Sequence, residues 1–274
     1  MRVEYTVNKD FEKKVLMKTT GKIISVLALS LCLAVSPIIS AAEPQGWYIK
    51  KNGHSRPVLP KDEEYISDYN AYYIDPTLGD TSERKVIYLT FDAGYENGNV
   101  CRVLDVLKKH DVPATFFILD NIVLKNTDVV LRMTNEGHTV GNHTKNHKDM
   151  TKLTAEEMKR NLTDLEKIYT EKTGLTLSRF FRFPEGRFSE ETLSTAKEMG
   201  YTTVFWSFAY ADWDNSKQPE PTRAKKKILD NTHNGEIILL HPTSATNAAI
   251  LDDLITEWKG MGYTFGRLQD FCGN

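Results

Sequence analysis

From Val86 onward the chain alternates short runs of β-branched and aromatic residues with longer amphipathic runs, and this alternation constrains the fold most. The candidate strands are Val86–Asp92, Ala114–Leu119, Thr139–Asn142, Arg179–Phe183, Thr202–Ser207, Glu236–His241 and Tyr263–Gly266. Helical patterns separate them, among them Val100–His110, with Val103, Leu104, Val106 and Leu107 apolar, and Thr154–Thr173. The second of these begins Thr-Ala-Glu-Glu, a capping box in which Thr154 and Glu157 satisfy each other's backbone N–H groups. Glycines at 137, 200 and 262 mark helix ends. Strands that alternate with helices pair in parallel through crossover connections. Seven such units predict an α/β fold whose sheet curls into a barrel, closed or nearly so.

This domain spans residues 85–274, and the stretch before it, 43–84, reads as an extended arm because it is rich in Pro, Gly, Tyr and charge without periodicity. The first 42 residues have the order of a secretory signal. Lys13, Lys14, Lys18 and Lys22 precede an apolar run, Ile23 to Ile39, that ends in Ser40-Ala41-Ala42, and Met17 offers an alternative start. An uncleaved membrane anchor is the other reading, although the run is only marginally long enough to cross a bilayer. Both place the bulk of the protein outside the cytoplasm. The formal net charge of −2 gives no global field for nucleic acid or an anionic membrane. Cys101 and Cys272 imply no disulfide framework and read as two isolated thiols.

The residues with chemical potential sit where the predicted strands end. Asp92 closes the first strand, His143 follows the third, Arg182 ends the fourth, Asp212 lies past the fifth and His241 ends the sixth. In a parallel barrel those ends open onto one face, so residues distant in sequence converge there. Each has a plainer reading: a strand-ending Asp forms turns, and a lone His after a core strand is usually a satisfied core imidazole. Their joint placement favours chemistry. His143 and His147, four apart, would be neighbours on a helix and could hold a divalent metal, zinc above all, with a position open for water. Arg182, set among Phe180, Phe181 and Phe183, needs a carboxylate partner, for which Asp92 and Asp212 are both candidates. His241 on the same face is a candidate general acid.

At these positions the sequence resembles the NodB-homology polysaccharide deacetylases, the family 4 carbohydrate esterases. The motifs appear in order: Thr-Phe-Asp at 90–92, His-x-x-x-His at 143–147, Arg-x-Pro at 182–184, Asp-Trp at 212–213 and Leu-His at 240–241. The resemblance implies a distorted (β/α)7 barrel and hydrolysis of acetyl groups on glycans. One position departs: the family's usual third metal ligand, an Asp, is replaced by Ala93, which implies weaker metal binding or compensation by a group such as Glu96. The stretch Phe-Asp-Ala-Gly-Tyr-Glu-Asn-Gly, 91–98, resembles the PdaA-type subfamily, the muramic-δ-lactam-forming deacetylases of the spore cortex. It adds Tyr95, Glu96 and Asn97, with Trp213, as candidate substrate-binding residues.

The expected mechanism has Asp92 as base, held charged by Arg182, and His241 as acid, kept cationic by Asp212. The expected substrate is peptidoglycan N-acetylmuramic acid freed of its stem peptide, which calls for prior action of an amidase. Rival substrates are peptidoglycan N-acetylglucosamine, chitin and acetylated xylan. A rival of another class is an inactive exported glycan-binding protein.

Overall fold

A computed structural model describes residues 43–272, so the expected signal segment, residues 1–42, lies outside the described residues. The described chain runs β1 (Gln45–Gly46), a 3-10 helix (Lys61–Tyr69), β2 (Ala71–Tyr72), β3 (Lys85–Ala93), α1 (Asn99–His110), β4 (Ala114–Ile118), α2 (Asp120–Lys125) and α3 (Thr127–Asn135). It continues through β5 (Thr139–Asn142), α4 (Ala155–Thr173), β6 (Phe180–Phe181), β7 (Arg187–Phe188), α5 (Glu190–Glu198) and β8 (Thr202–Val204). The last elements are α6 (Pro221–Leu229), β9 (Glu236–Leu240), α7 (Ala245–Gly260) and β10 (Tyr263–Phe265).

The main sheet has the order β10-β3-β4-β5-β6-β8-β2, and β9 also pairs with β3. Every ladder in it is parallel. Beyond β8, Phe208 bridges to Ile238, and the Leu239 N–H donates to the Phe208 carbonyl at 2.9 Å. The sheet therefore curls into a barrel whose seam, between β8 and β9, is one isolated bridge. This is the distorted β/α barrel expected from the alternation.

Period-two alternation along β3 divides its side chains between two environments. Ile87, Leu89, Phe91 and Ala93 join Val103, Leu104 and Leu107 of α1 in the apolar layer under the helices. Val86 and Tyr88 face inward with Phe117, Val204 and Ile237, which plug the barrel. Thr90 and Asp92 continue that inward face toward the strand's C-terminal end.

The predicted strands are all present, but β6 and β8 are shorter than expected. Pro184 has no N–H for a ladder, and the carbonyls of Val204 and Phe205 accept from the Arg182 guanidinium, at 2.9 and 3.2 Å, instead of from a neighbouring strand. The capping box of α4 forms as expected, with the Glu157 N–H on the Thr154 hydroxyl at 3.3 Å. Residues 43–84 do more than lie across the barrel. In them β2 pairs with β8, β1 pairs with β7, and Trp47 stacks on Phe205 with ring centroids 4.3 Å apart.

Candidate active site

Six of the predicted residues, Asp92, His143, His147, Arg182, Asp212 and His241, come together at the C-terminal face of the barrel. Asp92, the penultimate residue of β3, turns inward, while Arg182 follows β6 directly and is fully buried. The choice of partner left open by the sequence is settled by geometry: Arg182 Nη1 donates to Asp92 Oδ1 at 2.9 Å. Its other donors go to the Thr90 hydroxyl at 2.8 Å and to the two carbonyls of the β8 exit, and its guanidinium lies 4.2 Å over the Phe117 ring. A planar five-donor fork suits this role because each acceptor lies in a different direction. Burial alone would raise the Asp92 carboxyl, but the neighbouring His143 ring, the Arg182 charge and hydrogen bond and the His241 charge bring it below the usual carboxylate range.

His143 directly follows β5 and is buried. Its Nδ1 lies 2.9 Å from the Arg182 carbonyl, which can only accept, so Nδ1 carries the proton. The Nε2 lone pair then faces Asp92, whose Oδ2 is 3.4 Å away. Burial lowers the imidazole to about 4, against the pull of Asp92, so the ring is neutral at neutral pH. The stretch from His143 to His147 is not helical, so the helical spacing that would bring the two rings together is not what does so. Asn142 and Thr144 draw the backbone into a tight loop: Asn142 Oδ1 accepts the Thr144 N–H at 2.8 Å, and the Thr144 hydroxyl accepts the His147 N–H at 2.9 Å. Thr144 and His147 take left-handed φ of 74° and 57°, and the two rings still meet edge to face with centroids 5.0 Å apart.

Opposite this group, His241 Nδ1 bonds Asp212 Oδ1 at 2.7 Å, and the His241 backbone N–H donates to Asp212 Oδ2 at 2.8 Å. Burial would lower the imidazole, but the hydrogen bond and charge of Asp212, aided by Asp92, raise it above its ordinary value. Asp92, His143, His147 and His241 line one cavity of about 710 Å³.

Tyr95 and Trp213 also line that cavity and are exposed. The other two candidate substrate contacts, Glu96 and Asn97, do not line it. Glu96 accepts the backbone N–H groups of Gly98 and Cys101 at the start of α1, so it is committed there and does not stand in for the missing third ligand. Asn97 donates to the Thr243 carbonyl at 2.9 Å and so ties the start of α1 to the loop after His241. Ala93 is fully buried in the apolar layer and does not line the cavity. The sequence reading did not assign Glu185 and Tyr210 to the site, yet both line the cavity, as does Trp206, for which sugar stacking and core packing were equal expectations. Glu185 directly follows the Arg-x-Pro run, and its left-handed φ of 55° turns the chain at the cavity wall.

A parallel β/α barrel with a guanidinium-held carboxylate and a carboxylate-held imidazole facing one cavity has the parts that acid–base chemistry needs. Residues 79–204 match the polysaccharide deacetylase family. Over 229 residues the chain is 44% identical to an uncharacterised 30.6 kDa protein of Geobacillus stearothermophilus, covering 83% of this chain and 84% of that one. Over 230 residues it is 42% identical to peptidoglycan-N-acetylmuramic acid deacetylase PdaA of Bacillus subtilis, covering 83% of this chain and 86% of the relative. The solved structure of Bacillus subtilis PdaA, a family 4 carbohydrate esterase, aligns with a TM-score of 0.78 at 40% identity, covering 84% and 97% of the two chains. The chain belongs to the polysaccharide deacetylases, the family 4 carbohydrate esterases, and is a hydrolase of amide bonds.

Members of this family are generally metal-dependent. The donor set fits a divalent cation: His143 offers a neutral Nε2 whose opposite nitrogen is fixed by a carbonyl, the arrangement typical of metal-bound imidazole. His147 supplies a second ring, and among the described residues no third His, Cys, Asp or Glu completes a metal-holding group with them.

Proposed function

We propose that the protein removes the acetyl group from N-acetylated sugars of peptidoglycan, acting on N-acetylmuramic acid whose stem peptide is gone. The observation that carries the chemistry is the pairing at the barrel mouth, Asp92 with Arg182 and His241 with Asp212, on one cavity. Asp92 is held as the anion and takes a proton from the attacking water. His241, held cationic by Asp212, returns a proton to the departing amine. Arg182 fixes the plane of the base and, being buried, cannot follow it into solvent. A divalent cation on His143 and His147, zinc first among the metals that accept imidazole, would supply Lewis-acid polarisation of the acetyl carbonyl. Tyr95 and Trp213, exposed at the rim, offer ring faces for sugars.

The muramic substrate is supported by the 42% identity to the PdaA deacetylase of Bacillus subtilis. Deacetylation there leaves an amine beside the lactyl carboxyl, and the two can close to a δ-lactam only if no peptide occupies that carboxyl. An amidase therefore acts first, and the product belongs in the spore cortex. The signal-like first 42 residues support an exported protein, membrane-held only if that segment stays attached.

Acetate release from peptide-free peptidoglycan glycan and from chitin oligomers, with and without a chelator, tests this. Chelator-sensitive release from the muramic glycan alone is expected. Release from chitin alone would reject the muramic substrate, and release from neither would reject the deacetylase reading in favour of a glycan-binding protein.

A further inference from the structure

The pair that holds the acid has a third member, on α7 and remote in sequence from both. Asn247 is 1% exposed and three residues past the helix cap, Ser244, whose hydroxyl accepts the Asn247 backbone N–H at 3.1 Å. Its Nδ2 donates to Asp212 Oδ2 at 2.6 Å and to the His241 carbonyl at 3.0 Å. Both of those atoms only accept, so the amide nitrogen must face them, and the orientation of the side chain is dictated by chemistry. Its Oδ1 accepts the hydroxyl proton of Tyr210, itself buried against the cavity. Asp212 is thus gripped at both oxygens, Oδ1 by the His241 ring and Oδ2 by the His241 N–H and Asn247.

We propose that Asn247, backed by Tyr210, is a positioning residue for proton transfer: it fixes the Asp212 carboxylate in the one plane that aims the His241 ring into the cavity. The inference rests on His241 as the proton donor. A buried carboxylate oxygen that loses one of two donors rotates to regain it, because leaving a charged acceptor under-satisfied is costly. The ring bonded to the other oxygen turns with it. The groups facing His241 are Asp212, Asp92, Arg182 and the Trp213 ring, and substitution at 247 removes none of them.

Asn247→Leu keeps the shape and removes the donor. The expected result is kcat about 10- to 100-fold lower with KM within about twofold, since the lesion misaims a reacting group without touching substrate. Asn247→Asp restores a donor only while the two facing carboxylates share one proton. It should therefore recover part of kcat on the acid side of the profile and lose it on the alkaline side, which a purely structural residue would not do. Should Asn247→Leu not fold, Tyr210→Phe removes only the hydroxyl that fixes the amide and should lower kcat in the same sense, by less. Parental kcat and pH profile in the Leu or Phe variant, or Asp and Leu variants with superimposable profiles, would overturn the proposal. Two further readouts separate it from its premise. His241→Ala with undiminished kcat would sink the proton-donor reading itself. The Nδ1 proton resonance and ring titration of His241 in the Asn247 variants report the mechanical link independently of turnover, and an unmoved resonance counts against it.

Discussion

Asp92 carries the sharpest consequence of a single side chain. Asp92→Asn keeps an oxygen for the Arg182 fork, so the fold should hold while turnover falls by about 100- to 10,000-fold. Steady-state kinetics with a parallel thermal melt decides it, and near-parental kcat would remove Asp92 as the base. His241 sets the pH behaviour. In the proposed mechanism its cationic form is the donor, and its raised value extends that form upward from 6.5, so kcat should fall on an alkaline limb. Asp212→Asn removes the charge that raises it and should bring that limb to lower pH in a kcat–pH profile. Asp92, His143, Arg182 and His241 were legible in the sequence because each ends a strand, and parallel strands bring those ends together whatever their separation. Glu96 and Asn97 show the limit of that reasoning. A polar residue just past a strand looks the same whether it meets a sugar or caps a helix, and here both serve the start of α1. Asn247 and Tyr210 gave no signal, since only the tertiary fold brings α7 against the chain beyond β8.

Among the elements, the loop after β5 couples local backbone shape to the imidazole pair. A β-branched residue at φ 74° is a costly choice, and at Thr144 it is sustained by hydrogen bonds to both sides. Asn142 is the anchor, because its Nδ2 also donates to the Leu162 carbonyl at 3.1 Å and to the Tyr201 hydroxyl at 2.8 Å. Asn142→Ala should cost about 1–3 kcal/mol and weaken divalent-cation binding together, read by chemical denaturation and by metal titration of the folded protein. Stability lost with metal affinity unchanged would show that the His147 turn stands without it. Helices and capping were readable from periodicity and from Thr154 and Glu157, whereas two-residue strands such as β1 and β2 have too few positions to show any period. The His143–His147 spacing fits a helix as well as it fits this loop, and the side chains of Asn142 and Thr144 decide between them by competing for the backbone.

For the whole molecule, the end of the barrel opposite the cavity holds Glu236, fully buried at the start of β9 with neither carboxylate oxygen hydrogen-bonded. Burial pushes it well above 4.5, with the nearby His233 backbone and then the Lys51 charge offsetting only part, so it folds as the neutral acid. The unfolded chain releases that proton more readily, so the stability it contributes is complete below about 4.5 and is lost as pH rises toward its folded value. Glu236→Gln should therefore raise the melting temperature near pH 8 and leave it unchanged near pH 4; an equal shift at both would refute the linkage. The barrel class followed from seven alternating units, but its closure did not, because the seam at Phe208 and Ile238 involves no regular strand on one side. Residues 43–84 read as an arm for the same want of periodicity, yet the Trp47 N–H donates to the Gly186 carbonyl at 2.8 Å and the Trp47 indole to the Trp206 carbonyl at 2.9 Å. Gly186, at φ 64°, leaves no room for a side chain, for a Cβ there would sit 2.8 Å from both the Trp206 ring and Trp47. That crowding makes the glycine a joint through which the N-terminal segment sets the shape of the wall that greets the glycan. Loosening the segment should thus appear as a poorer grip on substrate, while the His241–Asp212 pair, fastened by Asn247 of α7, stays in place.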